Sequence, residues 1–440
     1  MLSFTTSPTG TWEANRVKEV PAKKSLQLNV SKQSAHPVLG FGGCFNELGA
    51  RGLFALSEEK KNEALQAIFG DDGCRFSFCR VPIGASDYSI EWYSHNDTFG
   101  DYEMKHFSIA HDYRFLIPYI REALSIRPDL KLFASPWSPP IWLKEKCRYN
   151  GSRLRQESRV FEALAEYFLR FVTAYRQEGI EINQVHVQNE PRSSQNFPSC
   201  IWTGIEMRNF IRDYLGPRFE AARETCEIWA GTIEKGILLG WAPEDFKNQT
   251  YHEWAHVILS DPHARKYIHG IGYQWCGKGA LQQTRANWPE VPIIQTENEC
   301  GDGKNTWDYA FYTFDLMWHY FANFASAYVY WNMLLPPGGE STWGWPQNTL
   351  ITIDEKRDVI IYNPEYWIMK HVSHFVEPGA TVYSLTGDGA ALSLLFKNSN
   401  GQWVFILSNP LYERVEISLA LDNDLKGLCF PPRSISTLVI

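Results

Sequence analysis

Eight short apolar runs alternate with amphipathic helical stretches from about residue 36 to residue 365, and after that the spacing shifts to closely set strands and turns. Together these observations predict a (β/α)8 barrel followed by a small all-β domain. The apolar runs fall at residues 38–43, 75–81, 130–135, 184–188, 227–232, 270–275, 291–296 and 327–331. Helical stretches lie between them at 58–69, 113–127, 160–178 and 307–325. The last carries Phe311, Phe314, Met317, Trp318 and Phe321 near a helical period. A doubly wound sheet is the rival arrangement, but no glycine-rich phosphate loop follows the first run.

Beyond residue 365 the runs 381–385, 391–397, 403–408, 415–419 and 434–439 read as strands. Turn residues such as Gly387-Asp388-Gly389 and the segment 398–401 separate them. The first 35 residues are too few for a domain of their own, and a strand at 25–30 is expected to join the C-terminal sheet. The expected division is a barrel over 36–365 and an accessory domain made of 1–35 plus 366–440.

The 440 residues carry a net charge of −8, which disfavours nucleic acid as a partner. Charged residues at 21% and hydrophobic residues at 44% describe a folded chain with a large core. Aromatic residues reach 15%, including 17 Trp and 21 Tyr. Most must fill the core, but some can offer flat faces on which sugars stack. No apolar run reaches the length of a membrane span. The nine cysteines are scattered without a C-x-x-C pair, and no signal peptide is visible at the start. Reduced thiols and a cytoplasmic location are therefore expected.

In such barrels the reacting groups sit at the C-terminal ends of strands. Glu190 follows the fourth run and Glu297 ends the seventh. Those strands lie on opposite sides of an eight-stranded ring, so both carboxyls can point into one cleft. Glycoside hydrolysis with retention needs such a pair, one protonated to release the leaving oxygen and one ionised to attack the anomeric carbon. One ionised carboxylate raises the pKa of its neighbour, which helps keep the acid protonated. Glu299 competes with Glu297 as nucleophile, but Glu297 directly ends the apolar run. Glu47 and Asp87 also stand at strand ends; Asp87 can accept from sugar hydroxyls or simply cap a turn.

His252-Glu253-Trp254-Ala255-His256 matches H-E-x-x-H, the signature of a zinc-dependent hydrolase. The extended form of that motif wants Gly and His where Leu259 and Pro262 stand. A surface helix is the preferred reading, with no metal and no cofactor expected.

The ordered motifs carry a resemblance. Arg80-Val81-Pro82-Ile83-Gly84-Ala85-Ser86-Asp87-Tyr88-Ser89, Ser135-Pro136-Trp137-Ser138-Pro139-Pro140-Ile141-Trp142-Leu143-Lys144, Gln188-Asn189-Glu190-Pro191 and Tyr330-Trp331-Asn332 with Gly338-Gly339 occur in that order. Along most of its length the chain resembles glycoside hydrolase family 30, the glucosylceramidase-like group of the clan A barrels. The resemblance implies a β-sandwich accessory domain built from both chain ends and Glu190 as the acid/base. It also implies a sugar subsite of Asp87, Trp142, Asn189 and Trp331, with Asn189 on the 2-hydroxyl and Trp331 as the floor. Trp345 and Asn348 fall at matching spacing. The segment 254–262 is similar to a helix before strand six in relatives that bind no zinc.

Two positions depart from the glucosylceramidase pattern. Gln274 and Cys276 stand where those enzymes carry His and Tyr, and the Tyr supports the nucleophile. The resemblance therefore implies a β-linked glucoside, xyloside or related sugar rather than glucosylceramide specifically. An endo-acting β-glucanase or xylanase of the same family and a non-catalytic sugar-binding protein remain alternatives. The presence of both Glu190 and Glu297 counts against the non-catalytic one. The loops 83–112 and 136–158, with Trp92, Tyr93, His95 and Tyr102, are candidates for closing a pocket.

Overall fold

The computed structural model describes residues 2–235, 252–422 and 424–440, without the side chains of 32–35, 252 and 253. Eight parallel strands form one sheet: β1 (Gly40–Cys44), β2 (Phe78–Ile83), β3 (Lys131–Pro136), β4 (Gln184–His186), β5 (Glu227–Lys235), β6 (Ile268–Cys276), β7 (Ile293–Glu297) and β8 (Ala327–Asn332). Neighbours in sequence pair, β8 pairs with β1, and the ring closes through a bridge between Ile293 and Ala325. This is the predicted TIM barrel.

Boundaries shift where local geometry overrides the apolar pattern. The second strand was expected at 75–81 but starts at Phe78 and runs through Pro82 and Ile83. Arg75 has φ 55°, and Phe76 N–H donates to Ile68 O at 3.1 Å, so the chain is still folding back onto helix Glu58–Phe69 at that point. Helix Trp307–Ala322 stops short of residue 325 because Phe324 takes φ 70°.

The barrel interior is layered. Phe78, Phe133, Trp229, Ile294, Ala327 and Val329 fill its lower part. Above them the strands turn polar side chains inward, from Arg80 on β2 to Glu297 on β7. Gly272 on β6 makes room for this crowding: a Cβ there would meet Thr296 Cγ2 at 2.7 Å and His186 Nδ1 at 2.8 Å.

Strands from both chain ends build the accessory β-sandwich, a ten-stranded sheet that includes Leu2–Ser7, Gln27–Pro37, Ser393–Lys397, Trp403–Asn409 and Ser434–Val439. The expected strand near 25–30 is there, paired with Thr381–Gly387 and Val415–Leu421. Its central strands are apolar on both faces for a reason. Leu395, Phe405 and Leu407 point into the sandwich's own core. Phe396, Val404 and Ile406, one residue out of phase, join the barrel's core, where Phe396 meets Phe321 edge-on with ring centroids 5.4 Å apart. Helix Pro364–Ser373 spans the junction: His371 is buried there, its two ring nitrogens 2.9 Å from Thr437 Oγ1 and Thr6 Oγ1. Among the described residues, no helix is long and apolar enough to cross a membrane.

Candidate active site

A cavity of about 360 Å³ opens at the C-terminal ends of the barrel strands, and both Glu190 and Glu297 line it. Glu297 is the last residue of β7. Glu190 follows β4 by four residues and sits at φ 45°, an uncommon conformation for a side chain that is not glycine. Its N–H donates to Thr232 O at 3.2 Å, and Asn189 N–H donates to Pro136 O at 2.8 Å. The segment is thus pinned from β5 on one side and from β3 on the other.

One amide group reaches both carboxyls. Gln274 Nε2 lies 3.1 Å from Glu297 Oε2 and 3.5 Å from Glu190 Oε1, so those oxygens are no farther apart than the sum of the two contacts. Thr296 Oγ1 donates to Gln274 Oε1 at 2.9 Å, which fixes the amide with its NH2 end toward the acids.

Each carboxyl has its own company. Glu297 Oε2 accepts from Arg80 Nη1 at 2.6 Å, and Glu297 Oε1 accepts from Trp275 Nε1 at 2.9 Å. Glu190 Oε2 accepts from Gln195 Nε2 at 2.7 Å. Among the described residues, no cation is paired with Glu190. Burial raises its pKa well above the usual carboxyl value, the charges of Glu297, Glu234 and Asp87 push it further, and the Gln195 bond opposes them. Asp87 is pushed up to about 8, chiefly by burial and then by the charge of Glu297.

Arg80 organises the floor. Its guanidinium also donates from Nε and Nη2 to Ser135 Oγ at 3.1 and 2.7 Å and from Nη2 to Asn189 Oδ1 at 2.7 Å. It lies 4.4 Å from the Trp137 ring centroid. Asn189 Oδ1 accepts additionally from Thr232 Oγ1 at 3.3 Å and Gln274 Nε2 at 3.2 Å. An arginine can only donate, so the atom facing it must be the amide oxygen, and the Asn189 NH2 group is the end left for a ligand.

The other residues singled out in the sequence divide. Asp87, Asn189 and Trp345 line the cavity. Gln274 lies buried beneath the carboxyls. Trp331 is buried beneath Trp137, their rings stacked with centroids 5.3 Å apart. Trp142 is not brought to the site. Its Nε1 donates to Asn96 O at 2.9 Å and its ring meets Tyr102 edge-on within the barrel's outer core. The tryptophan of that segment that reaches the cavity is Trp137, positioned by Gln188 Nε2 donating to its carbonyl at 2.8 Å.

Asn348 holds structure: its Oδ1 accepts from Gly303 N at 2.8 Å and its Nδ2 donates to Glu365 Oε1 at 2.6 Å. Glu299 is engaged elsewhere, by Lys278 Nζ at 2.5 Å and Tyr312 OH at 2.7 Å. None of Trp92, Tyr93, His95 and Tyr102 lines the cavity, although their loop supplies Asp87. In the H-E-x-x-H segment the side chains of His252 and Glu253 lie outside the described residues, and His256 packs against Trp288 with ring centroids 6.2 Å apart.

Sequence reasoning missed Arg80, Gln195, Glu234 and Trp275. Trp275 could not be found from alternation, because Gln274 already points inward and its neighbour should point out. A positive φ of 48° at Trp275 and a register shift beside Glu297 break that alternation and let both side chains reach Glu297. The resemblance places a supporting tyrosine where this chain has Cys276, and here Glu297 takes a hydrogen bond from the neighbouring Trp275 instead.

The family model for the glycosyl hydrolase family 30 TIM-barrel domain matches residues 38–376. The chain is 29% identical over 419 residues to the lysosomal acid glucosylceramidase of Mus musculus, covering 85% of this chain and 77% of that one. It is 23% identical over 459 residues to the endo-1,6-beta-D-glucanase neg1 of Aspergillus fumigatus, covering 95% and 88%. The crystal structure of SrfJ from Salmonella typhimurium superposes with a TM-score of 0.87 at 26% identity, over 100% of this chain and 99% of that one.

Proposed function

Because the chain belongs to glycosyl hydrolase family 30 and is a β-glycoside hydrolase, we propose that it works by retention, with Glu190 as acid/base and Glu297 as nucleophile. The observation that carries this reading is the contact of Gln274 Nε2 with both carboxyls, at 3.1 and 3.5 Å. It holds both carboxyls around one amide, close enough to act on a single glycosidic bond and compatible with the roughly 5–5.5 Å of retaining enzymes.

The surroundings assign the roles. Arg80 and Trp275 direct positive charge and a donor at Glu297, which suits the group that must carry negative charge and attack. Glu190 is paired with no cation among the described residues and its pKa is raised by burial, which suits the group that must hold a proton. In the first step Glu190 protonates the leaving oxygen as Glu297 bonds to the anomeric carbon. Glu190 has then given up its proton, and Glu297, now bonded to the sugar, no longer repels a second charge, so Glu190 stays ionised and can take a proton from the water that frees the sugar. Asn189 presents its NH2 group where a sugar hydroxyl can accept from it.

Glucose is the sugar this reading assigns, supported by relatives named glucosylceramidase and endo-1,6-beta-D-glucanase. The nine unpaired cysteines support a reducing, cytoplasmic setting.

The test uses an aryl β-glucoside. Glu190→Ala and Glu297→Ala should each lower turnover roughly 10³-fold or more. Azide should restore Glu190→Ala, because an activated leaving group needs no acid and the small anion fills the space the carboxyl vacates. Proton NMR of the first product should show the β-anomer; an α-anomer sinks the retaining mechanism.

A further inference from the structure

Four carboxyl groups line the cavity, and two of them keep a buried oxygen without a hydrogen-bond partner: Asp87 Oδ1 and Glu234 Oε2. Glu234 stands near the end of β5 and is 4% exposed. Among the described residues its other oxygen is engaged, by Ser193 Oγ donating to Oε1 at 2.6 Å. A buried carboxyl oxygen left bare is unfavourable, and at a cavity wall it is completed by water or by the polar group of a ligand that displaces that water.

Which part of the substrate it meets follows from its neighbours. Ser193 N–H donates to Glu190 O at 3.0 Å, so the bend that carries the acid/base also carries the contact to Glu234. Glu297, by contrast, is bracketed by Arg80, Gln274 and Trp275. A general acid sits beside the oxygen it protonates, and that oxygen belongs to the departing half. A group clustered with Glu190 therefore faces the leaving group.

We propose that Glu234 is a specificity-determining residue that hydrogen-bonds a hydroxyl of the leaving group through Oε2, and that the preferred leaving group is a hydroxylated, sugar-like unit rather than an apolar chain. The inference rests on the hydrolase reading above, with Glu190 as acid/base. A hydroxyl can both donate and accept, so it satisfies the carboxyl in either protonation state. An alkyl chain does neither and leaves Oε2 desolvated and unpaired, which is the basis on which polar sites reject analogues.

Gentiobiose and octyl β-D-glucoside, the latter below its micelle concentration, test this. Both carry glucose on a primary alcohol, so bond reactivity is matched and the leaving groups differ in their hydroxyls. The readout is the ratio of kcat/KM for gentiobiose to that for octyl β-D-glucoside, which cancels any loss of folded protein. The unaltered protein should favour gentiobiose, and Glu234→Leu should lower the ratio about tenfold or more. Glu234→Gln, which keeps a donor and an acceptor, should retain more of it. An unchanged ratio in Glu234→Leu, or a Glu234→Gln ratio no better than that of Glu234→Leu, overturns the proposal alone. Hydrolysis of neither substrate by the unaltered protein overturns the β-glucoside reading and this inference with it.

Discussion

Arg80 and Glu297 form a buried ion pair at the floor of the cavity, Nη1 to Oε2 at 2.6 Å, with side-chain exposures of 0% and 7%. The pair is held by geometry as much as by charge, since the same guanidinium grips Ser135 and Asn189. Lysine keeps the charge but cannot reproduce the fork. Arg80→Lys is expected to lower kcat/KM on an aryl β-glucoside by roughly 10²-fold, the scale of removing one preorganised stabilising donor. Arg80→Met strands the carboxylate and should destabilise the fold by about 3–5 kcal/mol, read from denaturant unfolding. Near-normal turnover in both variants would remove Arg80 from the mechanism.

The pH profile offers a test of Glu190. With Glu190 as the proposed acid, the first step needs it protonated, so activity is expected to fall as pH rises through its raised pKa. The Gln195 bond favours the charged carboxylate and so lowers that pKa. Removing it with Gln195→Leu should move the alkaline limb of kcat/KM to higher pH. A limb that stays in place, or moves down, would mean that another group controls it.

The barrel was legible because its strands are short, apolar and regularly spaced, and because Glu297 ends a strand and Glu190 follows one by four residues. What stayed hidden depended on departures from regular backbone. The positive φ of Trp275 sends an indole to Glu297 that alternation would send outward. Arg80 lies within β2, where a charged residue in an apolar run reads as an interruption, yet its position on the inner face is what lets it reach across to β7. The N-terminal strands Leu2–Ser7 and Gly10–Ala14 were likewise invisible, since their partners lie more than 400 residues away or across a tight turn.

The segment with two tryptophans separates a wall of the cavity from a wall of the core. Trp137→Ala should lower kcat/KM roughly 10-fold or more, through lost contact with the sugar and a loosened Arg80. Trp142→Phe instead leaves the Asn96 carbonyl without its donor, which costs about 1–3 kcal/mol of stability. Its KM should stay near that of the unaltered protein. A large rise in KM with Trp142→Phe would return that residue to the sugar subsite.

Glu365 supports the site from behind and should leave a mark on stability. It is buried in the first turn of helix Pro364–Ser373, accepts from Asn348 Nδ2 at 2.6 Å, and through Asn348 steadies the loop that follows Glu297. Burial pushes its pKa up to about 8 from an ordinary 4.5. Between those two values the folded chain holds a proton that the unfolded chain has released, so the stability it contributes is full below the lower value and is lost as pH rises through the upper one. Glu365→Gln keeps an acceptor for Asn348 and cannot ionise. The Tm of the unaltered protein should therefore fall more steeply from pH 5 to pH 8.5 than that of Glu365→Gln, so that the variant gains relative stability on the alkaline side. Parallel curves would show that Glu365 is already ionised in the fold, with its second oxygen completed by a group such as an ordered water.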